Sequence, residues 1–129
     1  MKIKQVKETC LYIQDLNKIQ DFYQRKLGLP VISRVENRHI FFRAGSSVLL
    51  CFIPETTKNE TSLPPHFAYG KQHIAFEVAE EDYQSWLDKL KKENIEIIHQ
   101  QPWKNNLTSC YFHDPEGHVL EIVPEGIWE

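Results

Sequence analysis

One order of secondary-structure signals occurs twice in this chain, and that repeat restricts the fold more than any other feature. In the first half, Val6 to Ile13 carries the β-formers Val6, Thr9, Tyr12 and Ile13 and reads as a strand. Asp15 can cap a helix, and Leu16, Ile19, Phe22, Tyr23 and Leu27 recur at intervals that predict an amphipathic helix over Leu16 to Lys26. Gly28 and Pro30 stop it. Strand-like runs come next at Val31 to Val35, His39 to Arg43 and Ser47 to Ile53, with turns at Glu36-Asn37-Arg38 and Ala44-Gly45-Ser46. The second half repeats the order. Gln72 to Val78 reads as a strand, and Glu80 to Glu93 as a helix with Tyr83, Trp86, Leu87 and Leu90 on one face, ended by Asn94. Strands at Ile95 to Gln100, Ser109 to His113 and Val119 to Val123 complete it, the last two joined by the turn Asp114-Pro115-Glu116-Gly117.

Each half is β-α-β-β-β, and neither can bury both faces of its sheet alone. The expected architecture is α+β: two tandem βαβββ modules whose strands form a curved, cup-shaped mixed sheet with helices on the outside. Module one covers about 4–54, module two about 71–125, and about 55–70 is linker. The stretch Pro54 to Tyr69, with its Thr, Asn and Pro-Pro content, reads as a surface loop.

Composition narrows the function. The 129 residues carry 15 basic and 18 acidic side chains, a formal charge of −3, which lacks the cationic footprint a nucleic-acid partner requires. No window is apolar enough to span a membrane, and Met1 to Gln5 is not followed by the apolar run of a signal peptide. Cys10, Cys51 and Cys110 are odd in number and include no CxxC pair, so reduced thiols in the cytoplasm are expected rather than disulfides or a zinc knuckle.

The repeat also aligns residues that could do chemistry. Glu8 and His73, 65 positions apart, sit early in the first strands of the two halves. Ser47-Val48-Leu49-Leu50 aligns with His118-Val119-Leu120-Glu121 at an offset of 71, which sets Glu121 opposite Leu50. Glu121 is ionisable inside the apolar strand Val119-Leu120-Glu121-Ile122-Val123, so it calls for a partner, a proton or a cation. His73 stands in similarly apolar company in His73-Ile74-Ala75-Phe76. Two glutamates and one histidine suit a divalent first-row ion with open positions better than a closed structural zinc site. The bland alternatives are a hydrogen-bonded core histidine and a solvated Glu8 beside Lys7. His39, His66, His99, His113 and His118 are read as surface or turn residues, and Cys10 as a small buried one.

These segments resemble the vicinal oxygen chelate superfamily, which includes glyoxalase I, bleomycin-resistance proteins, extradiol dioxygenases and fosfomycin-resistance thiol transferases. The resemblance rests on Leu11-Tyr12-Ile13-Gln14-Asp15-Leu16, Phe22-Tyr23 and Leu27-Gly28-Leu29. It continues in His73-Ile74-Ala75-Phe76-Glu77-Val78 and in Tyr111-Phe112-His113-Asp114-Pro115-Glu116-Gly117-His118-Val119-Leu120-Glu121. It implies paired βαβββ modules, a divalent metal (zinc, nickel, manganese or iron) on Glu8, His73 and Glu121, catalytic roles for Glu8 and Glu121, and a homodimer. Two departures stand out: Glu8 occupies a place that is usually His or Gln, and Leu50 occupies the place of the fourth, carboxylate ligand of glyoxalase I. Glyoxalase I activity is accordingly disfavoured.

Local sequence is most similar to the thiol-transferase branch, which implies substrate contacts from Cys10, Ser109 and Tyr111 and a cationic contact from Lys104. Against that branch, no basic residue follows Glu121, and Glu8 adds negative charge. The leading expectation is a metal-dependent enzyme of lyase, isomerase or thiol-transferase type acting on a small substrate with vicinal oxygens. The rival is a non-catalytic binding protein of the bleomycin-resistance kind. Ring cleavage is less favoured, because its usual ligand set has two His and one carboxylate.

Overall fold

A computed structural model describes residues 1–129. The chain divides into two compact units, Met1–Gly70 and Lys71–Glu129. The first contains β1 (Glu8–Tyr12), α1 (Leu16–Gln20), β2 (Val31–Val35), β3 (His39–Ala44), β4 (Ser47–Phe52) and α2 (Pro54–Thr57). The second contains β5 (His73–Val78), α3 (Tyr83–Lys92), β6 (His99–Pro102), β7 (Thr108–His113) and β8 (Val119–Pro124). Each unit has an open four-stranded mixed sheet, in the orders β1-β4-β3-β2 and β5-β8-β7-β6. The first strand of each half runs parallel to the fourth, and the other pairs are antiparallel. The tandem α+β architecture read from the repeat is therefore present strand for strand. No helix is long and apolar enough to cross a membrane.

The registers confirm the internal alignment. Glu8 pairs with Val48 and Cys10 with Leu50, while His73 pairs with Val119 and Ala75 with Glu121. Directly paired residues share a face of the sheet, so each sheet has one face toward its helix and one away from it. In the first unit Leu11, Ile40, Phe42 and Cys51 are fully buried on the helix side, where the Phe42 ring lies 5.5 Å from that of Tyr23. In the second unit Cys110, Phe112, Leu120 and Ile122 form the equivalent layer with Leu90 of α3.

Four local expectations change. The predicted helix over Leu16 to Lys26 begins as α1, capped by Asp15, and continues as a π-helix over Asp21–Lys26. Phe22 and Leu27 are five residues apart and both buried, and the amide of Leu27 donates to the carbonyl of Phe22 at 3.0 Å, the wider spacing of a π turn. The segment Pro54 to Tyr69 is not wholly loop. Pro54–Thr57 is a short helix with Thr57 buried, its hydroxyl donating to the carbonyls of Ile53 and His66. The strand expected at Ile95 to Gln100 is displaced to His99–Pro102, because Ile95 stays bonded to Leu90 at the end of α3 and ladder pairing to β7 begins at Ile98. Finally, His39 and His118 are buried, not surface or turn residues.

Candidate functional site

β5 and β8 bring His73 and Glu121 together. The two residues are one step apart along adjacent parallel strands, since His73 pairs with Val119 and Glu121 with Ala75. Their side chains emerge on the face away from α3, with His73 Nε2 3.3 Å from Glu121 Oε2. Glu121 is 5% exposed, and its second oxygen, Oε1, is buried without a hydrogen-bond partner.

The tautomer of His73 is set by its other nitrogen. Nδ1 lies 2.9 Å from the carbonyl oxygen of Val119, which can only accept, so Nδ1 carries the hydrogen. In a neutral ring Nε2 is then a lone pair directed at a carboxylate oxygen. Two acceptors at 3.3 Å repel unless a proton or another cation lies between them. A backbone carbonyl that fixes one ring nitrogen while the other is left to ligate is the usual arrangement of metal-binding histidines. Donors held at about 2.0–2.2 Å by one shared ion stand roughly 3.0–3.5 Å apart, which the observed separation matches. The donor set and the orphaned carboxylate oxygen thus fit a divalent cation. Nowhere in the chain do three His, Cys, Asp or Glu side chains gather to hold a metal ion: His73 and Glu121 supply two donors of one, and Glu8 belongs to the first unit.

His73 is held firmly at the start of its strand. The amide of Val119 donates to Gln72 O at 2.8 Å, and the amide of Gln72 donates to Nδ1 of the buried His118 at 3.0 Å. His118 is placed in turn by Asp114, whose Oδ1 accepts from the amides of Glu116 and His118. Gly117, with φ at +86°, closes that turn in a backbone region unfavourable to other residues. Tyr111, opposite Glu121 on β7, lies between the rings of His73 and His99, 5.8 Å from each. Burial and the Glu121 carboxylate both push its phenol above the ordinary range.

The other candidates have different surroundings. Ser109 is fully buried, and its hydroxyl accepts from the Trp103 indole at 2.8 Å. Lys104 is exposed and donates to the main-chain oxygen of Glu129. In the first unit Glu8 is exposed at the start of β1, and Cys10 lies half-buried on the same face two residues on. Burial, joined by the neighbouring Glu8 carboxylate, raises the Cys10 thiol and so disfavours its thiolate.

That face of the first unit carries three cross-strand rows: Glu8, Val48 and Arg43; then Cys10, Leu50, Phe41 and Ser33; then Tyr12, Phe52, His39 and Val35. The lower rows form an aromatic cluster. The His39 ring stacks on Phe41 at 3.9 Å, Phe41 meets Phe52 edge-on at 5.3 Å, and Tyr12 and His66 flank Phe52. His39 is locked as a neutral ring. Its Nδ1 accepts from the Arg38 guanidinium, and Nε2 donates to Ser33 Oγ at 3.0 Å. Arg38 also holds Glu60 by two hydrogen bonds, at 2.9 and 3.1 Å. Neither Arg43 nor His39 stands out as a site residue in the sequence; only alternation along β3, once its register is known, puts them on the Glu8 face.

Known proteins share this arrangement of strands. A sequence model of the Glyoxalase/Bleomycin resistance protein/Dioxygenase superfamily matches residues 3–122. The chain is 28% identical over 123 residues to metallothiol transferase FosB of Staphylococcus epidermidis, covering 95% of this chain and 82% of that protein. It is 29% identical over 123 residues to glutathione transferase FosA of Serratia marcescens, covering 93% and 80%. Among solved structures, a lactoylglutathione lyase from Agrobacterium tumefaciens matches with a TM-score of 0.92 at 27% identity, covering 98% of each chain. The fosfomycin resistance protein FosX from Listeria monocytogenes, 20% identical with a TM-score of 0.72, shares the fold. With the family pattern running through both sheets and over nearly the full length, the chain belongs to the glyoxalase/bleomycin resistance protein/dioxygenase superfamily.

Proposed function

We propose that this protein is a metal-dependent enzyme in which His73, Glu121 and Glu8 hold one divalent ion, whether zinc, nickel, manganese or iron. The observation that carries the reading is the His73–Glu121 contact: the ring nitrogen not held by the Val119 carbonyl lies 3.3 Å from a buried carboxylate, with one carboxylate oxygen unpartnered. Two anionic ligands and one neutral one leave coordination positions for vicinal oxygens of a small substrate, and the bound ion would stabilise negative charge developing there. The likeness to a metallothiol transferase and a glutathione transferase favours thiol transfer over lyase or isomerase chemistry.

The chain's own residues have separate tasks. The Val119 carbonyl keeps the His73 tautomer, and the His118–Gln72 bond keeps the strand start in place. The Tyr111 ring packs beside His73, and burial and a hydrogen bond to the Glu121 carboxylate keep its hydroxyl protonated. Glu8 and Glu121 are the carboxylates available for proton transfer as well as ligation. Cys10 faces the substrate as a neutral thiol. Ser109 keeps its own hydroxyl hydrogen while it accepts from Trp103, and Lys104 keeps further ammonium donors beyond the one on Glu129. Three cysteines outside any disulfide accord with a cytoplasmic setting, and the family pattern with a homodimer.

The aromatic cluster around Phe41 and Phe52 supports a second reading, a module that sequesters a planar or cationic molecule without turnover. Metal content separates the two. Untagged protein is expected to retain about one equivalent of a first-row divalent ion, and His73→Ala and Glu121→Gln are each expected to lower metal affinity at least tenfold. Wild type that takes up no manganese, nickel or zinc overturns the enzyme reading and leaves the binding module.

A further inference from the structure

At the start of the β5–β8 ladder a side chain stands where a main-chain rung would be. Parallel strands exchange evenly spaced, slanted bonds, and the 2.8 Å bond from the Val119 amide to the Gln72 carbonyl is one of them. One rung earlier, the Gln72 amide would meet the carbonyl of Gly117. Gly117 belongs to the Asp114 turn, with φ at +86°, and the amide goes instead to Nδ1 of His118 at 3.0 Å. Both backbone polar groups of Gln72 are thereby held, the N–H by the His118 ring and the C=O by the main chain of Val119. His73 follows directly, with its own Nδ1 on the carbonyl of that same Val119. Because β5 is an edge strand, no second neighbour could hold this amide if the ring did not.

The ring is itself built into the turn. His118 is buried, its amide donates to Asp114 Oδ1 at 3.0 Å, and its carbonyl accepts from the Asp114 amide at 3.0 Å. Lys71 closes the other side. Its ammonium donates to the Glu116 carbonyl at 2.8 Å and lies across Gly117, where any Cβ would collide with it. The first half makes the same join with smaller parts. Ser47, which corresponds to His118, donates its hydroxyl to the Val6 carbonyl at 3.1 Å, and the Val48 amide donates to Lys7 O at 2.8 Å. The Ser46 carbonyl accepts from the side chains of Gln5 and Lys7. In both halves, then, the strand that carries a proposed ligand near its start, Glu8 or His73, is tied there to the turn before the fourth strand.

We infer that His118 is a positioning residue for His73: it supplies the missing rung, and through Gln72 and Val119 it fixes where the imidazole points. Asp114 and Lys71 act through it by holding the turn. The inference rests on the reading of His73 as a metal ligand for its functional meaning, though not for the placement of the ring. Groups that orient a ligand from outside the coordination shell are worth about ten- to a hundredfold in metal affinity. What matters at residue 118 is an acceptor at the Nδ1 position. Asparagine places Oδ1 the same number of bonds from the backbone, whereas phenylalanine keeps a ring and offers no acceptor.

The test uses the full chain with manganese as the probe. Affinity is read by calorimetry, the ring NMR signals of His73 are recorded in metal-free protein, and unfolding midpoints are measured on the same samples. His118→Phe is expected to weaken manganese binding about tenfold or more and to broaden or double the His73 signals. His118→Asn is expected to keep both near wild type. Gln72→Pro removes the donor instead of the acceptor; it is expected to match His118→Phe, and it carries the test if that variant does not fold. Phe112→Ala, a change on the helix side of the sheet, is expected to lower stability while leaving manganese affinity and the His73 signals alone. Wild-type affinity and ring signals in both His118→Phe and Gln72→Pro overturn the assignment. So does His118→Asn behaving like His118→Phe, or Phe112→Ala weakening manganese binding as much as His118→Phe. If wild type takes up no manganese yet the His73 signals still depend on the acceptor at residue 118, the metal reading falls and the positioning assignment stands.

Discussion

The two halves of this molecule use the same ladder for different chemistry. Both place their first strand parallel to their fourth with matching register, so Glu8 corresponds to His73 and Leu50 to Glu121. Where the first half puts a leucine in the sheet, the second puts a carboxylate with one oxygen unsatisfied. Row one is anionic and cationic at its ends in the first half, and histidine at both ends in the second. Duplicated backbone geometry therefore does not duplicate function. It supplies two equivalent faces, and side-chain identity decides which face carries a ligand, which an apolar floor and which a charge.

Truncating equivalent core rings challenges that equivalence most strongly. Phe42 and Phe112 occupy corresponding helix-side positions and are fully buried. Alanine at either is expected to cost about 3–5 kcal/mol in denaturant unfolding. Phe42→Ala also removes the contact with the Tyr23 ring, and the two rings are expected to couple by about 0.5–1.5 kcal/mol in a double-mutant cycle of Phe42→Ala with Tyr23→Leu. No coupling would mean that the aromatic pair adds nothing beyond burial.

Making the second half resemble the first is the next largest change. Glu121→Leu copies Leu50 into β8 and removes a buried carboxylate with an unpaired oxygen. In the presence of a chelator the variant is expected to be more stable than wild type by about 1–3 kcal/mol, and to lose metal binding. A destabilised variant would mean that Glu121 is structurally satisfied in the metal-free protein, contrary to its role as a strained ligand.

The smallest expected effect is a pH dependence confined to the first half. Burial, then the Arg38 guanidinium, lower the His39 pKa below its ordinary value, with Glu60 opposing. The groups facing the ring are Arg38, Ser33, Phe41 and Phe52, with Glu60 and His66 beyond them. The unfolded chain therefore takes up a proton on this histidine at a higher pH than the folded one does. Stability from neutral His39 is fully present above the unfolded value of about 6.5 and is lost as pH falls below it toward the folded value. Wild type is expected to show that decline in urea midpoints between pH 7 and 5, and His39→Gln to show a shallower one. An unchanged slope would remove His39 as its source.

Legibility in the sequence differed by kind of feature. The repeat, the face of each helix, the Gly28 stop and the Asp114 turn could be read directly, since each depends on residues a few positions apart. The offsets of 65 and 71 aligned Glu8 with His73 and Leu50 with Glu121 because strand pairing conserves register across a duplicated unit. Burial of His39 and His118 could not be read that way. Their partners Ser33 and Gln72 come into place only through strand pairing and loop closure, and His118 meets Gln72 across 46 residues.

The sequence by itself determined the strand and helix order, the doubled architecture and the short list of ionisable residues with metal-ligand chemistry, because periodicity and residue type are local properties. Tertiary structure decided which of those residues meet, and which nitrogen of His73 the Val119 carbonyl holds and which faces Glu121. Hydrogen-bond satisfaction and desolvation depend on neighbours brought from elsewhere in the chain, and only the folded sheet brings them there.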